Sequence, residues 1–313
     1  MLGCCPPGAE RCRLCAPSKP VLPATIRALI ASTQRDHPDT GLRVQFYGGA
    51  APSDAQLDAI GDVPFGCRLR PDAFTWSTWD RLRERGLQHL ELDALSLHER
   101  SLKAIDRPYS AALIPKILQA VQGHLPEVGV VLAVGLPHSD HGSVLKDVAA
   151  VLPHVQTLRL HPVLVLEGSA LRMDHANGRY VPLTIAQAVT TCAAACDLAE
   201  AADVRVIRIG QQPRIDGLGH AVAGPRHSGL GELVAARRTQ QAVMGLTMTA
   251  PRTGAVRLRC HPADVSRTRG PLNANTRAYR AALQGRLTGI VPDSTLTRGS
   301  FRFEHDPDAQ ETP

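Results

Sequence analysis

The fold is decided by the stretch Gly129-Val130-Val131-Leu132-Ala133-Val134-Gly135-Leu136-Pro137 (residues 129–137). Its first six residues are small or apolar without polar alternation, which predicts a strand buried on both faces. Gly135 and Pro137 end the strand, because these residues favour turns. A strand of this kind is typical of parallel sheets that are covered by helices.

Strand and helix patterns alternate on both sides of this stretch. Strands are predicted over residues 42–47, 88–92, 155–160 and 204–209, and helices over 20–36, 76–86, 110–123 and 185–202. The alternation indicates parallel βαβ units. Five or six such units in about 190 residues predict an α/β fold, a partial or complete (βα) TIM-like barrel.

A glycine-rich segment over residues 211–231 interrupts the alternation, and long ordered loops of this kind are often functional. Shorter helix and strand patterns follow it, and the last ten residues are acidic and contain proline. We therefore expect a partial barrel over 1–210, a glycine-rich connection with a small C-terminal α/β appendage over 211–303, and a disordered tail over 304–313.

Composition restricts the class of function. Lys and Arg number 35 against 29 Asp and Glu, and this excess of positive charge permits a polyanionic partner. Aromatic residues make up only 4% of the chain, which argues against stacking platforms for single-stranded nucleic acid. No membrane span, secretory signal or disulfide framework is evident, so we expect a cytoplasmic protein that does not bind membranes.

Cysteines crowd the N-terminus in the run Cys5-Pro6-Pro7-Gly8-Ala9-Glu10-Arg11-Cys12-Arg13-Leu14-Cys15. The prolines and the glycine predict a loop, and thiolates on a loop suit a soft metal or an iron–sulfur cluster. Three ligands would leave one iron of a four-iron cluster open to a small molecule. Cys4 is an alternative to Cys5 as first ligand, and it is also a candidate fourth ligand of a structural zinc site.

Several motifs carry a resemblance to a known family. They are Cys5-Pro6 with Cys12-x-x-Cys15, Phe46-Tyr47-Gly48-Gly49, Arg70-Pro71-Asp72, Leu90-Glu91-Leu92-Asp93-Ala94-Leu95-Ser96, the run of residues 158–233, and residues 261–270. Together they resemble the radical S-adenosylmethionine (radical SAM) superfamily. Within it, they are similar to a bacterial branch related to the catalytic subunit of Elongator, without the acetyltransferase domain of the full-length relatives.

The resemblance implies a [4Fe–4S] cluster held by Cys5, Cys12 and Cys15, with S-adenosyl-L-methionine (SAM) bound beside it. One-electron reduction would then yield a 5′-deoxyadenosyl radical, with a flavodoxin or a ferredoxin as electron donor. An RNA or tRNA base and a small metabolite both stay open as substrates.

The resemblance also implies the residues that contact SAM. Gly48 and Gly49 would approach the methionyl ammonium group, and Arg70 would pair with its carboxylate, unless Arg70 forms a salt bridge with Asp72. Ser96 would bond a ribose hydroxyl.

Gly135 and His161 would present main chain to the adenine, and His161 is either an acid or base near the substrate or a structural residue. No catalytic residue is assigned.

Four departures from the family pattern favour an alternative, a radical-SAM-like binding module without catalysis. The barrel's first strand is apparently missing before the cysteine loop, and six residues separate Cys5 from Cys12. Asp93 and Leu95 stand where the family has Gly and Gln.

Basic residues gather around the glycine-rich connection and predict either a phosphate-contacting rim for RNA or an ordinary solvated surface. They are Arg205, Arg208, Arg214, Arg226, Arg237 and Arg238. His138 and His141 flank Asp140 with metal-like spacing, but we interpret them as polar loop residues.

Overall fold

The computed structural model describes residues 13–14, 21–210 and 221–309, and the chain divides into two compact units, 1–228 and 229–313. The division falls within the glycine-rich segment of residues 211–231. Part of this segment belongs to unit 1, because β8 (Ala221–Ala223) forms a short antiparallel pair with β6 (Val165–Leu166).

Unit 1 is built on a six-stranded sheet in which all described pairings are parallel. Its strands are β1 (Val44–Gly49), β2 (Phe65–Leu69), β3 (Leu87–Leu95), β4 (Glu127–Val134), β5 (Thr157–Pro162) and β7 (Arg205–Ile209). They lie in the order β1-β2-β3-β4-β5-β7, so consecutive strands are neighbours. The predicted α/β class is confirmed, and among the described strands the sheet is open, as in a partial barrel.

Helices connect the strands of unit 1. They are α1 (Pro23–Asp36), α2 (Asp54–Ile60), α3 (Trp76–Glu84), α4 (Glu99–Ala104), α5 (Leu113–Val121), α6 (His141–Val151), α7 (Ala170–Ala176) and α8 (Ile185–Ala201). Capping boxes define three helix starts, at Ser53 for α2, at Asp140 for α6 and at Thr184 for α8. The predicted helices at 20–36, 76–86, 110–123 and 185–202 are confirmed to within a few residues at each end.

The stretch that decides the fold forms the centre of the core. In β4, Val130, Val131 and Leu132 are buried on both faces of the sheet. Helix α5 packs against neighbouring elements through Ile114 and Leu118, both fully buried. A strand covered on both sides in this way needs the continuous apolar run that the sequence contains.

Unit 2 has a three-stranded mixed sheet of its own. Its elements are α9 (Leu230–Gly245), β9 (Val256–Cys260), α10 (Val265–Arg269), α11 (Ala274–Ala282), β10 (Leu287–Pro292) and β11 (Phe301–His305). The strand order is β10-β9-β11, with β10 parallel and β11 antiparallel to β9. Strand β11 ends at His305, and so includes the first two residues of the segment 304–313.

Candidate functional site

The carboxyl edge of the unit 1 sheet gathers the residues that the sequence singled out. Each of them ends a strand or directly follows one: Gly48 and Gly49 in β1, Arg70 after β2, Ser96 after β3, Gly135 after β4 and His161 in β5. Because the strands are parallel, these ends share one edge, where ligands of α/β sheets bind.

The predicted cluster ligands Cys5, Cys12 and Cys15, and also Cys4, lie outside the described residues. The two residues between Cys12 and Cys15 are described, and both are anchored in unit 1. Backbone hydrogen bonds join the Arg13 amide to the Ile105 carbonyl at 3.1 Å and the Leu171 amide to the Arg13 carbonyl at 2.9 Å.

Leu14 packs against an apolar cluster at the carboxyl edge. The cluster is made of Leu95, Ile105, Val131, Ala133, Leu136, Val163, Val165, Leu171 and Tyr180. Several of these residues lie at or just beyond the carboxyl ends of β3, β4 and β5, near Ser96, Gly135 and His161 in the sequence. An apolar side chain at position 14 therefore fits this surface.

An ion pair adds to this anchoring. The Arg13 guanidinium donates to Asp174 Oδ2 from Nη2 at 2.5 Å and from Nε at 3.1 Å. Arg179 donates to Asp174 Oδ1 from Nη2 at 2.9 Å. Desolvation of the carboxyl opposes ionisation, but the hydrogen bonds from Arg13 and Arg179 outweigh it and lower the pKa of Asp174.

Arg70 is fully buried and forms the salt bridge that the sequence left open. Its Nε and Nη2 atoms donate to the two carboxylate oxygens of Asp72 at 2.8 and 2.7 Å. The Arg70 amide also donates to the Gly49 carbonyl at 2.8 Å, which joins the tips of β1 and β2. Gly49 has a φ of 69°, a conformation that favours glycine.

Ser96 is buried and bonded to α6. Its hydroxyl donates to Asp147 Oδ2 at 2.5 Å and accepts from the His98 amide at 3.0 Å. Burial raises the pKa of Asp147, although the Ser96 hydrogen bond opposes the shift. The hydroxyl proton is therefore already used within the protein.

The two departures in this segment, Asp93 and Leu95, each have a structural account. Arg107 Nη2 donates to Asp93 Oδ2 at 3.1 Å, and both side chains are buried. Leu95 has a φ of 62°, which is uncommon for a branched side chain, and its burial in the apolar cluster offsets that strain.

Gly135 lies where the backbone turns sharply after β4, with a φ of 89°. Its carbonyl accepts from the Tyr180 hydroxyl at 2.6 Å, and Tyr180 comes from the segment Gly178-Arg179-Tyr180 that contributed to the resemblance. A pocket of about 530 Å³ is lined by Gly135, Leu183 and Thr191, among other residues. The sequence predicted the glycine but not this pocket.

A buried ionic cluster on the sheet was not predicted. Glu91 of β3 pairs with Arg68 of β2 at 3.2 Å and with Arg159 of β5 at 2.8 Å. Both guanidiniums lie over the Tyr47 ring, at 4.9 and 5.4 Å from its centroid. Charged residues within otherwise apolar strands were the available signal.

Desolvation of the half-buried imidazole lowers the pKa of His161 well below its ordinary value, and the charges of Arg68, Arg159 and Arg208 add to the shift. The imidazole is therefore neutral at physiological pH. A neutral imidazole can accept a proton, so a base near the substrate and a structural residue both fit this state.

The basic residues that the sequence singled out around the glycine-rich connection belong to both units. Arg205 begins β7, at the amino edge of the sheet, and pairs with Glu127 at 2.8 Å. Arg237 donates to Gln240 in α9, and Arg214 lies outside the described residues.

Asp140 and His141, which follow His138, make contacts within the protein. Asp140 caps α6, and His141 Nδ1 lies 3.0 Å from Thr191 Oγ1. Among the described residues, no three His, Cys, Asp or Glu side chains are grouped to hold a metal ion. Within the same ranges, no helix has the length and apolar character required to span a membrane.

A family model described as the Radical_SAM C-terminal domain matches residues 155–240 of this chain. The resemblance to the radical SAM superfamily is confirmed. No curated protein matches the chain. The matched segment includes β5, α7, α8, β7 and part of α9, so it contains His161 and the ion-paired Asp174.

Solved structures to which the chain is similar include the following three. The archaeal Methanocaldococcus infernus Elp3, with residues 1-46 deleted, superposes with a TM-score of 0.58 at 20% identity, covering 70% of this chain and 58% of that one. HydG, the FeFe-hydrogenase maturase of Carboxydothermus hydrogenoformans, superposes with a TM-score of 0.48 at 12% identity, covering 64% of this chain and 55% of that one. HemN, the coproporphyrinogen III oxidase of Escherichia coli, superposes with a TM-score of 0.37 at 14% identity, covering 48% of this chain and 41% of that one. The chain thus spans less than two thirds of these structures, and the likeness to Elp3 concerns the fold alone, a partial TIM-like barrel.

Proposed function

We propose that the chain is a radical SAM enzyme that binds a [4Fe–4S] cluster through Cys5, Cys12 and Cys15 and SAM at the carboxyl edge of its sheet. The observation that carries the proposal is the anchoring of Arg13 and Leu14 at that edge. These two residues are the covalent neighbours of Cys12 and Cys15. Three thiols are also a donor set that suits iron–sulfur chemistry.

When bound, the cluster and SAM would supply the one-electron cleavage that produces a 5′-deoxyadenosyl radical. The chain's own residues position the ligand and exclude water. Gly48 and Gly49 would let ligand and backbone approach closely at the tip of β1, where a side chain would intervene. The end of β2 is held beside that tip because the Arg70 amide donates to the Gly49 carbonyl. The Arg70 side chain pairs with Asp72.

The remaining predicted contacts surround the same edge. Gly135 would present backbone to the adenine, and its carbonyl is held in place by Tyr180. Ser96 would bond the ribose through an oxygen lone pair, because its proton is given to Asp147. His161, being neutral, would accept or hold a proton near the substrate.

The proposed substrate is a base of RNA, such as a tRNA base, and the proposed electron donor is a flavodoxin or a ferredoxin. An excess of six positive charges supports a polyanionic substrate. A small metabolite remains the other substrate class that the sequence left open.

Anaerobic reconstitution with iron and sulfide tests the proposal. We expect about four iron and four sulfide per chain, lost when Cys5, Cys12 and Cys15 are replaced by Ala. Cys4→Ala decides between the two candidate first ligands, and the buried Cys192→Ala is the matched control. After chemical reduction, the loaded protein should convert SAM to 5′-deoxyadenosine.

A second candidate function is a radical-SAM-like binding module without catalysis. The observation that favours it is that Arg70 and Ser96 already hold carboxylates of the protein. Absence of both metal and sulfide after reconstitution would support this module. Stoichiometric zinc without sulfide would instead indicate a structural zinc loop.

A further inference from the structure

Unit 2 contains a pocket of about 280 Å³ between α11 and β10, which we call the arginine pocket. It is lined by Arg269, Asn273, Thr276, Arg277, Arg280, Gly289 and Ile290. The lining thus has three guanidiniums and no carboxylate. Its volume is close to the lower end of the range for small-molecule sites, about 300–1,000 Å³.

The helix register concentrates these groups in one place. Residues 273, 276, 277 and 280 follow the spacing that brings side chains to one face of α11. Arg269, the last residue of α10, faces the same pocket. Three exposed cations are therefore held around one concavity instead of being dispersed over the surface.

The hydrogen bonds of these arginines orient them without neutralising them. Arg280 donates from Nε to the Leu287 carbonyl at 3.2 Å and from Nη2 to the Thr288 carbonyl at 3.3 Å. Arg277 donates from Nη1 to the Leu272 carbonyl at 2.7 Å. Carbonyl oxygens carry no net charge, so the three positive charges remain.

Several carboxylates of unit 2 pair with arginines outside the arginine pocket. Arg257 and Arg259 of β9 both pair with Glu304, each at 2.6 Å. Arg267 pairs with Asp264 at 3.8 Å. Within the described ranges, none of the three arginines of the arginine pocket forms an ion pair with a carboxylate.

The charge of the whole chain is concentrated in the same unit. Residues 229–313 contain 12 arginines and 7 acidic residues, which accounts for +5 of the chain's formal charge of +6. An anion in the arginine pocket would relieve the mutual repulsion of its guanidiniums and would satisfy their free N–H groups.

We propose that the arginine pocket binds a phosphate group of RNA. Guanidiniums are suited to phosphate oxygens because their planar fork can donate two parallel hydrogen bonds. A contact to the backbone phosphate positions the nucleic acid without reading its sequence. The choice of RNA rests on the proposed function, whereas the preference for a phosphate rests on unit 2 itself.

The test is fluorescence anisotropy of the full, cluster-loaded chain with a 5′-labelled RNA stem-loop, titrated at several salt concentrations. Two variants change the pocket: Arg277→Gln removes a charge, and Gly289→Glu introduces a carboxylate where an added Cβ has no neighbour within 4 Å. We expect each to weaken binding about 5-fold or more at low salt and to reduce the slope of log K against log salt by about 1.

Arg252→Gln is the matched control, because it removes an exposed charge of unit 2 outside the arginine pocket. Equal weakening by Arg252→Gln would overturn the proposal in favour of unspecific charge attraction. Binding of labelled AMP without binding of RNA would overturn the choice of RNA. Iron and sulfide contents are measured on the same samples, so a failure of cluster loading is distinguished from a failure of RNA binding.

Discussion

Glu91 illustrates at the scale of one residue how the sheet tolerates buried charge. Its side chain is 1% exposed and lies between Arg68 and Arg159. Burial alone would raise its pKa, but the two guanidiniums outweigh this effect and lower it. A carboxylate held in this way stabilises the fold only while it is ionised.

We predict that Glu91→Gln reduces the free energy of unfolding by about 3 kcal/mol near neutral pH, since it removes the buried carboxylate that Arg68 and Arg159 share. The folded-state pKa of Glu91 is below its unfolded value of about 4.3, so its contribution is present above that pH and is lost as the pH falls further. The difference between wild type and variant should therefore shrink below about pH 4. Urea unfolding at a series of pH values measures it.

The exposed Glu84→Gln in α3 is the control for this prediction, because surface charges change stability by less than about 0.5 kcal/mol. A Glu91→Gln variant as stable as the control at neutral pH would contradict the prediction.

A second prediction at the scale of one residue concerns Gly224. Its φ is 108°, and an added Cβ would lie 2.8 Å from the Val163 carbonyl oxygen. Gly224→Ala should therefore lower the free energy of unfolding by about 2 kcal/mol, from backbone strain and the clash. Gly142→Ala in α6 should be neutral or slightly stabilising, because its added Cβ makes only an ordinary contact at 3.7 Å. Thermal denaturation of both variants compares them.

At the scale of elements, the loop between Cys12 and Cys15 is held by α7. The Arg13 guanidinium bonds Asp174, and the Arg13 carbonyl accepts from the first turn of α7 at Leu171. These contacts connect the candidate metal ligands to the segment that the family model matches.

We predict that Asp174→Asn loosens this connection and accelerates loss of iron to a chelator several-fold, while the melting temperature changes little. The reason is that an ion pair near the surface contributes at most about 1 kcal/mol to folding. Glu167→Gln, which removes the nearby exposed pair with Arg172, is the control. Equal rates of iron loss for wild type and Asp174→Asn would show that the pair does not support the cluster.

Elements differ in how well the sequence predicts them. β4 was predicted from its own residues, because burial on both faces requires a continuous apolar run. β11 was missed, since only Phe303 among its residues is buried and its pattern is weak. Most strand ends of the candidate site could be predicted because glycine or proline marks them, whereas the end of β3 before Ser96 has neither residue.

The partners of the site residues could not be predicted in the same way. Ser96 bonds a carboxylate 51 positions away, Gly135 a hydroxyl 45 positions away, and Arg13 a carboxylate 161 positions away. Periodicity reports only which face of an element is buried. Contacts of this separation depend on how elements pack, which no local pattern specifies.

At the scale of the whole molecule, chemistry and charge are assigned to different units. The candidate cofactor edge lies in unit 1, whereas nearly all of the net positive charge lies in unit 2. Each unit also buries a core of its own, around Leu92 and Val131 in unit 1 and around Leu258 and Tyr279 in unit 2. Because the clusters around Val131 and Leu258 have no residue in common, we expect a defect in one core to leave the function of the other unit intact.

We predict that Leu258→Ala, at a fully buried position of β9, costs about 2–5 kcal/mol in unit 2 and weakens RNA binding, while iron and sulfide per chain stay unchanged. Leu92→Ala, at an equally buried position of β3, should reduce iron and sulfide per chain and leave RNA binding unchanged. Hydrogen–deuterium exchange with mass spectrometry locates each defect, since amide protection falls where the core is loosened. Faster exchange in β3 and β4 of the Leu258→Ala protein would show that the two cores are coupled and that the separation of roles is wrong.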